Sequence, residues 1–283
     1  MNAITTGAAV VTGAGRGLGR EIARLLHARG LTVHVTDIDG EAAEAVAAEL
    51  GDRAWSSALD VSDAEACRTV ARRSVERAGA LAVWCNNAGV LHTGVSWEHD
   101  EAARRLMLDV NAHGTMNGTI AALEHMRPAD QGHVLNIVSL AGLVAAPGEV
   151  VYAASKHAAI AFSIGTLADL RRTGSRGVHI SCVCPDGIWT PMLFDELDNP
   201  ETAASFQGVL LSPEYVASRA VTLLDRPRPV LTIPRHRGLV VRLFDAAPAL
   251  AVRLVPHVMA DARRRQRRLA KRRARGEDVR PRR

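Results

Sequence analysis

The sequence predicts an α/β protein, a doubly wound sheet of seven parallel strands in a single domain, followed by a helical, strongly basic C-terminal extension. Three observations carry this. Short apolar runs alternate with helically periodic segments along residues 1–236. The first apolar run opens into a glycine-rich turn and then a helical pattern. Beyond residue 236 the strand pattern stops, and residues 237–283 carry helical apolar spacing followed by a run of arginines.

Ala8-Ala9-Val10-Val11 reads as a buried first strand. It enters Thr12-Gly13-Ala14-Gly15-Arg16-Gly17-Leu18-Gly19, after which Ile22, Leu25 and Leu26 recur at helical spacing. Glycines let a backbone approach a pyrophosphate closely, and the helix N-terminus offers free N–H groups and a positive dipole end. An ordinary tight turn is the other reading of such a loop. The second strand, Leu31 to Thr36, ends at Asp37. An acid about 20 residues after the glycines accepts hydrogen bonds from the adenosine ribose hydroxyls and repels a 2′-phosphate. Asp37 therefore points to NAD(H) over NADP(H), a preference that Arg16 in the loop would soften. Asp37 also reads as a cap or turn residue, since Asp39-Gly40 follows.

Further strands are predicted at Ala54 to Leu59, Leu81 to Cys85, His133 to Val138, Val178 to Val183 and Val230 to Ile233. Alternation with helices implies a parallel sheet covered on both faces. Ligands in such sheets bind at the carboxyl ends of the strands. Asp37, Asp60, Asn87, Ser139 and Pro185 all follow predicted strands, so the chemistry converges on one edge.

Tyr152 and Lys156 stand four residues apart on a predicted helix, one turn apart on the same face. A free phenol has a pKa near about 10 and is a poor base at neutral pH. A neighbouring cation stabilises phenolate, and the sequence leads us to expect that Lys156 lowers the Tyr152 pKa. A tyrosine so tuned can give or take a proton at an alcohol or carbonyl oxygen. The other tyrosine, Tyr215, has Arg219 four residues on, so the pair alone does not decide.

Together these residues resemble the short-chain dehydrogenase/reductase family over roughly residues 7 to 235, which implies a Rossmann-type fold and an NAD(P)-dependent oxidoreductase acting on CH–OH groups. Thr12-Gly13-x-x-x-Gly17-x-Gly19 resembles its cofactor loop, with Gly15, Arg16 and Leu18 inside it. Asp60-Val61 matches its adenine-contacting pair, and Asn86-Asn87-Ala88-Gly89 its motif after the fourth strand. Asn111, Ser139, Tyr152 and Lys156 match its catalytic tetrad in order. Pro185, Gly187, Ile188 and Thr190 fall where the family touches the nicotinamide amide; Asp186 departs from the more usual glycine. The resemblance implies that Tyr152 exchanges the proton, Lys156 tunes it and holds the nicotinamide ribose, Ser139 binds the substrate oxygen, and Asn111 orders a water relay. Taken singly, Ser139 also reads as a strand-end hydroxyl and Asn111 as a helix residue. The family often pairs helices that here run about 100 to 118 and 152 to 170, which implies a homodimer or homotetramer. A non-catalytic nucleotide-sensing or surface-binding protein on the same fold is the alternative function.

For substrate, Leu143 to Pro147 and Ile188 to Phe194 are apolar segments bordering the site, and Leu143 and Trp189 are expected to contact substrate beside Ser139 and Tyr152. This suits a hydrophobic secondary alcohol or ketone, lipid-, steroid- or terpenoid-like; a lid packed on the core is the other reading. Asp195, Glu196 and Asp198 argue against a strongly anionic one.

Composition fits one globular enzyme, expected to be cytoplasmic: 47% of the 283 residues are hydrophobic, enough for a sizeable core. There is no uncharged apolar run long enough to span a bilayer, and the chain enters its first strand too soon for a signal peptide. Cys67, Cys85, Cys182 and Cys184 lack clustered histidines, so buried thiols are expected and a metal site is not. Charge is segregated. From Arg263 to Arg283 twelve Arg or Lys oppose two acids, giving +10, whereas the whole chain is +5. Before that tail, Leu239, Val240, Leu243, Phe244 and Ala247, then Leu250, Leu254, Val255, Val258 and Met259, recur at helical spacing, with Pro248 and Pro256 expected to punctuate them into short helices. The extension is expected to be dispensable for hydride chemistry. It reads as a peripheral membrane-surface segment, as a subunit-contact or substrate-covering helix with a solvated tail, or, least favoured, as a nucleic-acid arm.

Overall fold

The fold is that of a computed structural model, which describes residues 4–281. Its elements run β1 (Ala8–Thr12), α1 (Gly17–Ala28), β2 (Thr32–Asp37), α2 (Gly40–Leu50), β3 (Ala54–Ala58), α3 (Ala64–Ala78), β4 (Leu81–Asn86), α4 (Glu101–Leu108), α5 (Gly114–Met126), β5 (Gly132–Ile137), α6 (Val150–Arg172), β6 (Val178–Pro185), α7 (Pro191–Phe194), α8 (Pro213–Val221), β7 (Val230–Ile233), α9 (Arg235–Asp245) and α10 (Pro248–Ala274). A π-helical stretch, Asp109–His113, joins α4 to α5, and 3-10 turns lie at Leu140–Gly142, Pro200–Phe206 and Thr222–Leu224.

The seven strands form one sheet in the order β3-β2-β1-β4-β5-β6-β7, every pair parallel. The order reverses between β1 and β4, and the crevice above that point is where such sheets bind ligands. β1 explains why its run is wholly apolar. Ala9 and Val11 pack under α1 and α8 with Ile22, Leu26 and Val216. Ala8 and Val10 pack on the opposite side with Val70, Trp84 and Leu123. A strand covered on both faces has no solvent side on which to place polar residues.

Strand boundaries differ from the expected ones by one or two residues, chiefly by extension at the carboxyl ends. β6 continues through Pro185, which pairs with Ile233 as the last rung. All four cysteines are buried and free. α6 has the length and mean hydropathy, 1.2, of a spanning helix. It packs instead on β6 and presents Tyr152 and Lys156 to the sheet edge.

The extension corrects one expectation. Pro248 begins α10 as anticipated, but Pro256 lies inside that helix and does not end it. Proline costs a helix interior about 3 kcal/mol, through a lost hydrogen bond and a ring clash. Here Pro256 is on the exposed side, while Val255, Met259 and Ala262 pack on Ala203 and Ala204 of the Pro200–Phe206 turn. Burial of that inward face offsets the local penalty. Arg282 and Arg283 of the basic tail lie outside the described residues.

Candidate active site

The glycine turn and the end of β4 are built as one unit. Thr12 Oγ1 accepts hydrogen bonds from the N–H groups of Asn87 and Ala88, both at 3.0 Å. Asn87 Nδ2 donates to the carbonyls of Thr12 and Gly13, both at 2.9 Å. Two glycines are obligatory in this clamp. Gly13 has φ +62°, and a Cβ there would meet Ala88 Cα at 2.7 Å. A Cβ on Gly19 would fall 2.3 Å from the Gly13 carbonyl oxygen. No side chain caps the N-terminus of α1, so its first-turn N–H groups are free for an anion. The turn thus fits a dinucleotide pyrophosphate, with Gly13, Arg16, Gly17 and Leu18 facing the cavity and Gly15 and Gly19 packed behind them.

Asp37 ends β2 at the cavity wall, its Oδ2 accepting from the Gly15 N–H at 2.9 Å. Asp60 and Val61 line the same wall; Asp60 Oδ1 accepts from the N–H and hydroxyl of Ser62. Asn87, Ala88, Gly89, Pro185, Gly187, Ile188 and Thr190 complete this side.

The four residues of the matched tetrad meet at the mouths of β4 and β5. Ser139 follows β5, and Tyr152 and Lys156 rise beside it on α6. Lys156 Nζ donates to the Ile137 carbonyl at 3.2 Å and lies 5.6 Å from the centre of the Tyr152 ring. Asn111 sits in the π-helical stretch, a deformation frequent at functional sites. Its Nδ2 donates to Ser155 Oγ at 3.0 Å, and that hydroxyl donates to the Tyr152 carbonyl at 2.7 Å. Its Oδ1 accepts from the Val90 N–H. A Cβ on Gly89 would lie 3.1 Å from Asn111 Oδ1 and 3.5 Å from Lys156 Nζ, so this glycine keeps the passage between them open.

The electrostatics overturn one expectation. Burial pushes the Tyr152 phenol up, not down, and the neighbouring Glu149 carboxyl adds to the rise, while a hydrogen bond with Ser139 opposes it. Burial likewise lowers the Lys156 ammonium to about 8. Both groups leave water together, and burial disfavours the charged form of each.

Glu149 itself is a residue the sequence did not flag. It precedes α6, is buried, and accepts a 2.6 Å hydrogen bond from the Ser205 hydroxyl. Burial raises its carboxyl to about 7. One acid before an apolar helix reads as an ordinary first-turn residue, and nothing local signals its burial.

The pocket is a continuous cavity of about 730 Å³ running from Gly13 and Asp37 past Ser139 and Tyr152. Beyond Tyr152 its walls are mostly apolar, with Val144, Ala146 and Leu193 and, from α9 and α10, Val240, Phe244 and Val255, although Glu149, Gln207, Arg237 and Asp245 also line the cavity. Two expected substrate contacts are not among its walls. Leu143 turns into the core with Val138, Ile160 and Cys182. Trp189 packs with Leu193, Leu197 and Phe206, its ring 5.5 Å from that of Phe194. Each satisfies its large apolar surface against the body of the protein, which leaves smaller neighbours facing the pocket. The extension was expected to be dispensable, yet α9 and α10 form one side of this chamber. Gln266 Nε2 also donates to the Asn199 carbonyl at 2.6 Å, holding α10 on the segment that follows α7. The helical periodicity of residues 239–259 was visible, but not which face would be enclosed.

Comparison with known proteins agrees with this geometry. Residues 7–200 match the family model described as short chain dehydrogenase. A 3-oxoacyl-[acyl-carrier-protein] reductase of Chlamydia muridarum is 30% identical over 232 residues, 80% of this chain and 92% of that protein. The 1-deoxy-11-beta-hydroxypentalenate dehydrogenase of Streptomyces exfoliatus is 36% identical over 199 residues, 67% of this chain and 70% of its own. Among solved structures, a short chain dehydrogenase/reductase from Burkholderia phymatum in complex with NAD superposes with a TM-score of 0.79 at 27% identity, covering 89% of this chain and 97% of that one.

Proposed function

The chain belongs to the short-chain dehydrogenase/reductase family, and from that premise we propose that it moves a hydride between NAD(H) and a hydrophobic secondary alcohol or ketone, with Tyr152 as the proton-exchanging group. The observation that carries this reading is the single cavity that has Asp37 at one end, Tyr152 and Ser139 at its waist and an apolar chamber beyond them. A bound nicotinamide supplies the hydride chemistry. In reduction the Tyr152 hydroxyl gives its proton to the carbonyl oxygen as that oxygen gains charge, and in oxidation the phenolate takes the alcohol proton. The Ser139 hydroxyl donates to the same oxygen and stabilises its developing charge. Lys156, lowered by burial to about 8 and so mostly an ammonium at neutral pH, places positive charge 5.6 Å from the centre of the phenol ring. Asn111 and Ser155 fix the turn of α6 from which Tyr152 projects, and Asn111 Oδ1 stands beside the Gly89 passage for a relay of protons from Lys156.

Asp37 favours NAD(H), and the apolar walls beyond Tyr152 favour a lipid-, steroid- or terpenoid-like substrate. The two relatives are named for different substrates, a 3-oxoacyl carrier protein and a hydroxypentalenate, so family membership leaves that choice to the chamber. A nucleotide-sensing protein without chemistry is disfavoured, because it would have no need of Ser139, Tyr152 and Lys156 together. The test is a panel of hydrophobic secondary alcohols and ketones, followed by nicotinamide absorbance with each cofactor, on the native protein and on Tyr152→Phe. We expect turnover that falls about 10²- to 10⁴-fold in the variant while cofactor binding persists. Turnover in Tyr152→Phe close to that of the native protein would sink the assignment.

A further inference from the structure

We propose that the outer face of the α9–α10 pair docks on an anionic phospholipid bilayer. The first observation is a concentration of unburied apolar side chains. Leu239, Val240, Leu243, Leu250 and Leu254 are all exposed, Leu239 at 63% and Leu243 at 62%, and all fall within sixteen residues. Helices that merely close a pocket have no reason to present large aliphatic groups to water as well.

The second observation is the pattern along α10. At 100° per residue, positions 250, 254, 257, 261, 264, 268, 271 and 275 share one side. They are Leu250, Leu254, His257, Asp261, Arg264, Arg268, Lys271 and Arg275, and every one is exposed. The opposite side holds the buried Met259, Ala262 and Gln266, which seat the helix on the protein. The outward stripe therefore changes from aliphatic to cationic along its length. Among the described residues none of Arg264, Arg268, Lys271 or Arg275 has a carboxylate within ion-pair distance, although Arg263, Arg265 and Arg272 each do. Unpaired cations in line with exposed leucines match the two layers of an anionic membrane surface, headgroup charge and acyl boundary. A nucleic acid or an acidic protein would answer the charge but leave the leucines in water.

The third observation is where this face lies. Val240 of α9 is exposed and also lines the cavity, while Val252 lines it from the side of α10 that carries Met259 and Gln266. A bilayer against the pair would border the cavity mouth. Entry of an apolar substrate from the lipid follows only if the proposed function holds, whereas docking does not depend on it.

The experiment is co-sedimentation of the full-length protein, without substrate, with phosphatidylcholine vesicles containing phosphatidylglycerol and with phosphatidylcholine alone, at low and high salt. We expect binding to the anionic vesicles that weakens with salt without vanishing. Changing Arg264, Arg268, Lys271 and Arg275 together to Gln should weaken it about fivefold for each charge removed. Leu239→Ser with Leu243→Ser and Leu250→Ser should abolish the salt-resistant part. None of these seven side chains lines the cavity, so thermal unfolding and turnover of a water-soluble alcohol should stay near native values and report on folding. No binding to anionic vesicles at low salt would overturn the proposal. So would equal binding of the native protein and the glutamine variant, or binding to heparin or duplex DNA as tight as to vesicles and indifferent to the serine changes.

Discussion

Arg237 Nε lies 2.9 Å from Asp186 Oδ2, joining the first turn of α9 to the turn that follows β6. Both side chains are largely buried, and the same carboxylate accepts from the N–H groups of Gly187 and Val209, both at 3.2 Å. Asp186, at a position where the resemblance leads us to expect glycine, thus ties the extension to the active-site edge. A Cβ on Gly208 would fall 1.9 Å from that carboxylate, so the loop is shaped around it.

Removing the cation from this pair should be costly, because it strands a buried carboxylate. Arg237→Met is expected to lower unfolding stability by about 3 kcal/mol. Asp186→Asn added to that background should recover part of the loss, since it removes the uncompensated charge. Urea unfolding of the three variants measures both. A loss below about 1 kcal/mol in Arg237→Met would show that the pair is solvated and holds little.

Glu149 gives the protein a pH dependence of known sign. Burial raises its carboxyl from an ordinary 4.5 to about 7 in the fold. A pKa raised on folding means that stability is fully present below pH 4.5 and is lost as the pH rises through about 7. The shift corresponds to about 3 kcal/mol by pH 8. Glu149→Gln keeps an acceptor for the Ser205 hydroxyl and removes the charge, so it should flatten this loss and unfold at higher urea than the native protein at pH 8. Its charge also raises the Tyr152 pKa, so the variant should reach full alcohol oxidation at lower pH. A native-like pH profile in both measurements would remove Glu149 from the account.

What the sequence disclosed and what it withheld divide along a physical line. Backbone-level features were legible: Val230–Ile233 is a strand as read, and the glycines of the turn announce close approach, because such constraints are local. The meeting of Ser139, Tyr152 and Lys156 followed from ordered motifs and a parallel sheet. Side-chain direction in irregular apolar segments was not legible. Leu143 and Trp189 lie in stretches without a period, and tertiary packing turned both inward. The Tyr152 pKa failed for a similar reason, since the spacing to Lys156 is a sequence property while burial is not. Pro256 misled because its local cost is visible in sequence, whereas the packing of Met259 and Ala262 that offsets it is not.

Assembly is expected through α4, α5 and α6. Leu108, Ile120 and Ile164 each expose about two fifths of their surface on these adjoining helices, and α6 is rich in alanine. Large aliphatic groups on neighbouring helices suit burial by a second copy, related by a two-fold axis. Sedimentation velocity should give at least twice the 30.3 kDa of the chain, and Ile120→Glu with Ile164→Glu should return a monomer. A native protein sedimenting only at chain mass at micromolar concentration would refute this.

Cofactor choice is the last expectation, and it turns on Asp37. Its Oδ2 accepts from the Gly15 N–H at 2.9 Å and its Oδ1 from the Asp39 N–H at 3.1 Å, so the carboxylate is held at the mouth of the glycine turn. A ribose diol can donate to it. A 2′-phosphate would instead place like charge nearby, at a cost of about 1 kcal/mol per charge pair in water and about 4 kcal/mol at a partly buried surface. Asp37 is half-buried, between those limits, which predicts a preference for NAD(H) of about tenfold to a thousandfold. Arg16 on the same wall acts the other way, by attracting the phosphate. Asp37→Ala should therefore cut the ratio of kcat/KM for NAD over NADP by at least about tenfold, mostly by improving NADP, and Arg16→Ala should widen it. Steady-state kinetics with both cofactors on the native protein and the two variants measure each contribution. A native preference for NADP(H) would mean that Arg16 outweighs the carboxylate, and a ratio unchanged in Asp37→Ala would mean that the ribose is read by other groups.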